Sequence, residues 1–154
     1  MNPDLLFRLA TEADLIAIIK MLSDDPLGAL REKIETPLPE AYLQAFDRIK
    51  NDNKQELTVA QINGEIVGTF QLTFIQYLTH QGGLRAQIEA VRVSSAHRGQ
   101  GIGAQLFSYA IDRANQKGCY VVQLTTDKKR PRALQFYESL GFVATHEGMK
   151  LTLY

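Results

Sequence analysis

Cysteine is nearly absent from this chain. Cys119 is the only one among 154 residues, so no internal disulfide can form, and the usage fits a reducing cytosol. An excess of charge is lacking too: 17 Lys and Arg stand against 17 Asp and Glu. That balance gives no electrostatic reason to expect nucleic acid or an anionic membrane as partner. No apolar run approaches the roughly 20 residues that cross a bilayer. The opening MNPDLLFRLATEADL carries acids early and no basic stretch before an apolar run, so no secretory signal is expected. His80, His97 and His146 fall in turns and strand ends without metal-ligand spacing, and no metal is expected. There is no internal repeat and no low-complexity tract. What these absences leave is a cytoplasmic protein of one domain, 1–154, long enough to bury a hydrophobic core.

What is present has a clear order. LLFRLA (Leu5–Ala10) alternates from Leu6 as a strand does. Thr11 then reads as an N-cap, with Glu12 and Asp14 at the positive end of a helix carrying Leu15, Ile18, Ile19 and Leu22 on one face. SDDPLG ends it, and PLPEAYLQAFDRIKN predicts a second helix. Two strand patterns flank Asn63-Gly64, the strongest short hairpin signal, and Leu84–Val93 predicts a third long strand after THQGG. GIGAQLFSYAIDRANQKG is helical and stops at Gly118; CYVVQLTT reads as a buried strand. Pro131 and Gly141 bracket a short helix, and FVATHEGMKLTLY predicts a closing hairpin around Glu147-Gly148. The stretch Leu84–Thr126 is then a strand–helix–strand crossover, which places its two strands parallel and near one another. The whole is α+β, a three-layer α/β/α arrangement around a mixed, mostly antiparallel sheet.

AHRGQGIGAQL (Ala96–Leu106) is where chemistry concentrates. The first turn of a helix has four N–H groups without internal partners, and the dipole makes that end positive. An anion fits there. Gly99, Gly101 and Gly103 remove the Cβ atoms that would hold phosphate oxygens off those groups, and Arg98 can add a forked, charge-assisted bond. A tight turn with an ordinary cap is the plainer alternative, but one glycine would suffice for it. GQGIGA also satisfies the dinucleotide pattern G-x-G-x-x-A. Five residues, Ser94–Arg98, precede the first glycine here, whereas a dinucleotide fold turns at once from strand to glycine. A P-loop is excluded because no Gly-Lys-Ser/Thr follows.

VRVSSAHRGQGIGAQL and RALQFYESLGF together resemble the two hallmark motifs of the GCN5-related N-acetyltransferase (GNAT) superfamily. The first matches the pattern Arg/Gln-x-x-Gly-x-Gly/Ala at Arg98, Gly101 and Gly103; the second matches at Ala133, Phe136, Tyr137, Leu140, Gly141 and Phe142. The resemblance covers nearly the whole chain. It implies the acyl-CoA N-acyltransferase fold, with the fourth and fifth strands splayed, and acetyl-CoA as cosubstrate. It implies that Arg98, Gly99, Gln100, Gly101, Gly103 and Ala104 hold the CoA diphosphate, and that the backbone at Val91 and Val93 bonds pantetheine. One departure is Arg130, where many members carry Asn three residues before the alanine of the second motif. Lys128, Lys129, Arg130 and Arg132 read either as further contacts to CoA phosphates or as a solvated basic patch.

Acetyl transfer to an amine needs a neutral nucleophile, a donor for the carbonyl oxygen, and a proton for the departing thiolate. The resemblance gives the last role to Tyr137; a tyrosine is protonated at pH 7, its ordinary pKa being ≈ 10. Glu89 sits in the otherwise apolar AQIEAVRV, and IEAVRV resembles the matching strand of glucosamine-6-phosphate acetyltransferases. Counting by twos from Val93 puts 93, 91 and 89 on one face. A carboxylate desolvated there becomes a useful base. The alternatives are an ion pair with Arg85 or Arg92, or plain substrate anchoring. The function expected is direct acetyl transfer to a small-molecule primary amine: amino-sugar, polyamine or amino-acid-like. The acceptor site is expected from Ser23–Asn53 and the strand ends near Thr79–Gly83, with Tyr77 among its lining residues. A protein lysine or N-terminal amine is the other acceptor class, and a non-catalytic acyl-CoA-sensing module the other function class. A homodimer through the closing hairpin is a further expectation from the fold.

Overall fold

Alternating apolar stretches demand a sheet. The computed structural model, which describes residues 4–153, has one of five strands in the order β1-β2-β3-β4-β5. They are β1 (Leu6–Leu9), β2 (Gln55–Ile62), β3 (Glu65–Gln76), β4 (Leu84–Val93) and β5 (Val121–Leu124). The helices are α1 (Leu15–Ser23), α2 (Glu40–Asn51), the one-turn α3 (Thr79–Gly82), α4 (Ile102–Gln116) and α5 (Pro131–Ser139). The chain divides into two compact units between Gln123 and Leu124.

Pairing is antiparallel from β1 to β4. Asn63 and Gly64 both take positive φ, 50° and 84°, as the two central residues of a two-residue hairpin must. Tyr120 N–H donates to Leu84 O at 3.0 Å, and Gln123 donates to Gln87 at 2.8 Å. Those contacts advance together along both strands, so β5 runs parallel to β4, as the crossover requires.

The pleat sorts the core into two layers. Leu57 and Val59 point to α1 and α2, where they pack with Leu15, Ile18, Ile19 and Phe46. On the other face Leu106 of α4 lies over Gly68, and Tyr109 stacks on Phe7 at 4.5 Å and meets Phe70 edge-on at 6.3 Å. A Cβ on Gly68 would come within 3.1 Å of Leu106, so this glycine is set by close packing of α4 on β3. Helices thus cover both faces, as the sequence predicts.

Two expectations need correction. The segment after Phe142 forms no strand among the described residues, and Val143, Met149, Leu151 and Leu153 are exposed. Its alternation supplies the pattern of a hairpin, but no apolar surface covers it, and alternation without burial gives no strand. Accordingly β5 is an edge strand of four residues with Val121 exposed, not a buried one. Asp14 lies in the first turn after Thr11, as expected, and has a further partner. It is buried, it accepts two bonds from Arg8 at 2.6 and 2.8 Å, and it bonds Thr11 N–H at 2.7 Å.

Candidate functional site

The long strand β4 does not keep its alternation. Gln71 pairs with Glu89 and Thr69 with Arg92, so Ala90 and Val91 together oppose the single residue Phe70. This is a β-bulge, and Ala90 adopts φ 53°, a left-handed conformation unusual for a residue with a Cβ. The bulge overturns the count by twos. Glu89, opposite Gln71, faces the side of α1 and α2; Val93, opposite Gly68, faces α4. Nor is Glu89 sequestered by apolar neighbours: its side chain is exposed, with no hydrogen bond or ion pair among the described residues. The two arginines considered as its partners are engaged elsewhere. Arg85 lies over the Tyr77 ring at 4.5 Å and donates to Tyr120 Oη, and Arg92 approaches Asp25 at 3.5 Å.

Past β4, a short 3₁₀ turn at Ser95–His97 leads into the glycine turn. Gly99 and Gly101 have φ 77° and 76°, and a Cβ at either would meet nothing within 4 Å. These glycines are therefore required by backbone conformation on an open surface, not by packing inside the protein. Gly101 is the N-cap of α4 and Gly103 lies in its first turn with ordinary helical φ. The first helical bond runs from Gln105 N–H to Gly101 O at 3.2 Å. Among the described residues, none of the six N–H groups from Gly99 to Ala104 is given to another protein atom. These donors stand at the positive end of α4, with the turn open at Gly99 and Gly101 and Ile102 buried, and an anion such as a diphosphate could be held by this donor set. The Gln100 side chain turns away from it, donating to Ala96 O at 3.3 Å.

Arg98 is not pointed at the cradle. Its Nε donates to Val93 O at 3.2 Å, and its Nη2 donates to the Asp24 carboxylate at 2.9 Å. Asp24 is the C-cap of α1 and Asp25 follows it. Two acids at the negative end of a helix dipole are unfavourable alone, and Arg98 and Arg92 neutralise them. Both partners of the Arg98 pair are substantially exposed, at 51% and 40%, so the pair is weak and exchangeable. Reading the sequence missed these partners; the signal was the adjacent acids of SDDPLG at a helix end. The Val91 carbonyl accepts from Arg92 Nη1 at 2.8 Å, and at the bulge neither Ala90 nor Val91 has a register partner on β3.

In the second unit, Arg130 N-caps α5, Pro131 occupies its first position, and Gly141 at φ 90° ends it. Phe142 N–H reaches back to Tyr137 O at 3.1 Å, closing the helix end. Tyr137 is half-buried, with its ring 5.7 Å from Phe136 and edge-on to Phe142 at 6.3 Å. Lys128 pairs with Glu147 at 3.4 Å, both exposed. The described residues hold no cluster of His, Cys, Asp and Glu fit for a metal. Cys119 is partly buried, and burial pushes its thiol up from the ordinary value.

The chain is similar to known proteins. Residues 17–142 match the model of the acetyltransferase (GNAT) family. A glucosamine 6-phosphate N-acetyltransferase of Trypanosoma brucei brucei is 32% identical over 97% of each chain. An aminoalkylphosphonate N-acetyltransferase of Salmonella typhimurium is 32% identical over 70% of this chain and 69% of its own. A solved structure from Bacillus halodurans, described as a transcriptional regulator, is 56% identical, with a TM-score of 0.94 over 97% of this chain and 99% of that one.

Proposed function

This chain belongs to the acetyltransferase (GNAT) family and has its acyl-CoA N-acyltransferase fold, and from that premise we propose that it moves the acetyl group of acetyl-CoA directly onto the primary amine of a small molecule. The observation that carries this reading is the set of six unbonded N–H groups at Gly99–Ala104. They supply the donors for the CoA diphosphate, with Arg98 exchanging Asp24 for a phosphate oxygen. The backbone of Val91 and Val93 serves pantetheine, and the bulge presents it past the end of the four-residue β5. Bound there, acetyl-CoA supplies a thioester carbonyl as electrophile. Glu89 takes the proton of the incoming amine, directly or through water, leaving the nitrogen lone pair free to attack. Tyr137 gives its phenolic proton to the sulfur as the carbon–sulfur bond breaks, and the second proton of the attacking nitrogen, now bonded to the acetyl carbon, returns to the Tyr137 oxygen, so the products are the N-acetyl amide and neutral CoA thiol, with the first proton left on Glu89 for release to water. The reading assigns 1–154 to a single catalytic domain. The small-molecule acceptor is supported by the two relatives named for acetylating an amino sugar phosphate and an aminoalkylphosphonate.

The test is thiol release from acetyl-CoA across a panel of small primary amines, with acetyl-CoA binding measured alongside by calorimetry. Turnover with one or more amines is the expected result. Binding without thiol release from any amine would return the acyl-CoA-sensing alternative, and acetyl-CoA binding left unchanged by altering the glycine turn would remove the diphosphate site.

A further inference from the structure

Three polar side chains, two on the sheet and one at the end of α2, stand outside the roles above. Asp52, at the C-cap of α2, accepts from Gln55 Nε2 at 2.9 Å, and Gln55 Oε1 accepts from Gln71 Nε2 at 2.8 Å. An ionised carboxylate can only accept. Hydrogen bonds from Gln55 and from Lys54 N–H hold Asp52 below the usual carboxylate range, so it is ionised at neutral pH. Gln55 must therefore turn its NH₂ to Asp52 and its carbonyl to Gln71. Gln71 must in turn give its NH₂ to Gln55. One carboxylate thus orients two amides in series, and the group left over is Gln71 Oε1, which accepts no hydrogen bond among the described residues.

That oxygen belongs to a residue with a notable position. Gln71 is the register partner of Glu89. Together with Thr69 and Ala90 of the bulge it borders a cavity of about 120 Å³, whose remaining walls come chiefly from α1 and α2, Ile18 and Phe46 among them. No Lys, Arg or His lines it. A phosphate brought in there would lose its water without gaining a cation, a large cost. An aliphatic group would be favoured by the same walls.

Building on the acetyltransferase reading, we propose that Gln71 Oε1 receives the amino group of the acceptor at the mouth of this cavity, and that the cavity selects primary amines bearing a short uncharged aliphatic group over sugar phosphates and phosphonates. The chemistry suits the reaction. A neutral amide carbonyl accepts an N–H without stabilising an ammonium as strongly as a carboxylate would. The bound amine is therefore freer to give its proton to Glu89. A glutamate in place of Gln71 would hold the ammonium more firmly and delay that loss to higher pH.

The experiment measures acetyl-CoA-dependent thiol release by the full chain with n-butylamine, isoamylamine, glucosamine 6-phosphate and 2-aminoethylphosphonate, in the wild type and four variants. The expected result is kcat/KM at least tenfold higher for the aliphatic amines. Gln71→Leu raises the acceptor KM about tenfold and leaves the acetyl-CoA KM unchanged. Gln71→Glu moves the kcat/KM profile to higher pH, a change that a merely structural role would not produce. Asp52→Asn, which frees the amides to flip, raises the acceptor KM by less than Gln71→Leu. Ala45→Phe fills the cavity from the exposed side of α2 without touching the amide series, and it raises KM for the aliphatic amines alone. Preference for the phosphorylated amines, or Gln71 variants with unchanged acceptor KM and pH profile, overturns this proposal while the acetyltransferase reading stands. Failure of every amine to release thiol overturns both.

Discussion

Tyr137 and Gly101 illustrate two kinds of dependence on one residue. Tyr137 is held by its helix and by Phe136 and Phe142, so removing its hydroxyl leaves the ring packing in place. Tyr137→Phe is expected to lower kcat about 100-fold, the lower end of general-acid effects, with the Kd for CoA nearly unchanged; stopped-flow turnover beside calorimetry checks both. Equal activity would remove Tyr137 from the mechanism. Gly101 acts through backbone alone. Its φ of 76° is unfavourable for any residue with a Cβ, and no neighbour obstructs that Cβ. Gly101→Ala therefore costs about 1 kcal/mol from conformation, read in urea midpoints. The same change weakens CoA binding more than it weakens the fold, because the turn relaxes away from the geometry that aims its amides. Arg98 is a third case. Asp24 pairs with the arginine that the proposed reading gives to the diphosphate. Asp24→Asn frees it, and the Kd for CoA is expected to fall a few-fold, with a steeper dependence on salt.

At the scale of elements, the short-range signals read well and the long-range ones did not. Asn63-Gly64 fixes its hairpin through two positive-φ residues in sequence, and β4 begins and ends where its composition predicts. Pro131 and Gly141 bracket α5 for equally local reasons. The bulge in β4 was illegible, because Ala90 carries no mark of the left-handed conformation it adopts; the register with β3 imposes it. That single irregularity moves Glu89 to the other face from Val93, so the site's chemistry depends on a feature that composition does not encode. The closing hairpin failed for the converse reason. Its pattern was present, but a strand needs a partner and a covering surface, neither of which a local pattern supplies. The start of α1 shows a local reading that was right in place and incomplete in cause. Asp14 caps the turn, yet its chief partner is Arg8 of β1. The Arg8 guanidinium, with help from Thr11, holds its carboxyl at about 2. Unfolding returns it to an ordinary value near 3.9, a difference worth on the order of 2 kcal/mol at neutral pH. A depressed carboxyl stabilises the fold fully above the unfolded pKa, and that contribution disappears as pH falls from about 4 through 2. Urea midpoints over that range should decline in the wild type and run flatter in Asp14→Asn, which starts lower.

At the scale of the molecule, what joins the layers matters more than how many charges sit on the surface. Glu56 of β2 points to the α4 face, is 8% exposed, and accepts from Arg113 at 2.6 and 3.1 Å, with Lys117 at 3.7 Å. The pairing raises the Arg113 pKa above its ordinary value through that hydrogen bond, against the opposing effect of burial. Lys117 also lies over the Phe74 ring at 5.2 Å, so the end of α4 is tied to the sheet by charge as well as by Leu106 and Tyr109. Lys128 and Glu147, by contrast, pair at 3.4 Å with 89% and 84% of their side chains in water. Solvent screens the exposed pair almost completely, whereas removing the Glu56 carboxylate takes from Arg113 its ion-pair partner on the sheet. Glu56→Gln is therefore expected to cost about 2 kcal/mol, the range for losing a hydrogen bond to a charged group. In a chain of this size that lowers Tm by about 4–8 °C. Glu147→Gln should leave Tm unchanged. Differential scanning calorimetry on the two variants measures the contrast directly. Equal small shifts in both would show that α4 is held to the sheet by apolar packing alone, and that the buried carboxylate adds nothing to the joining of the layers.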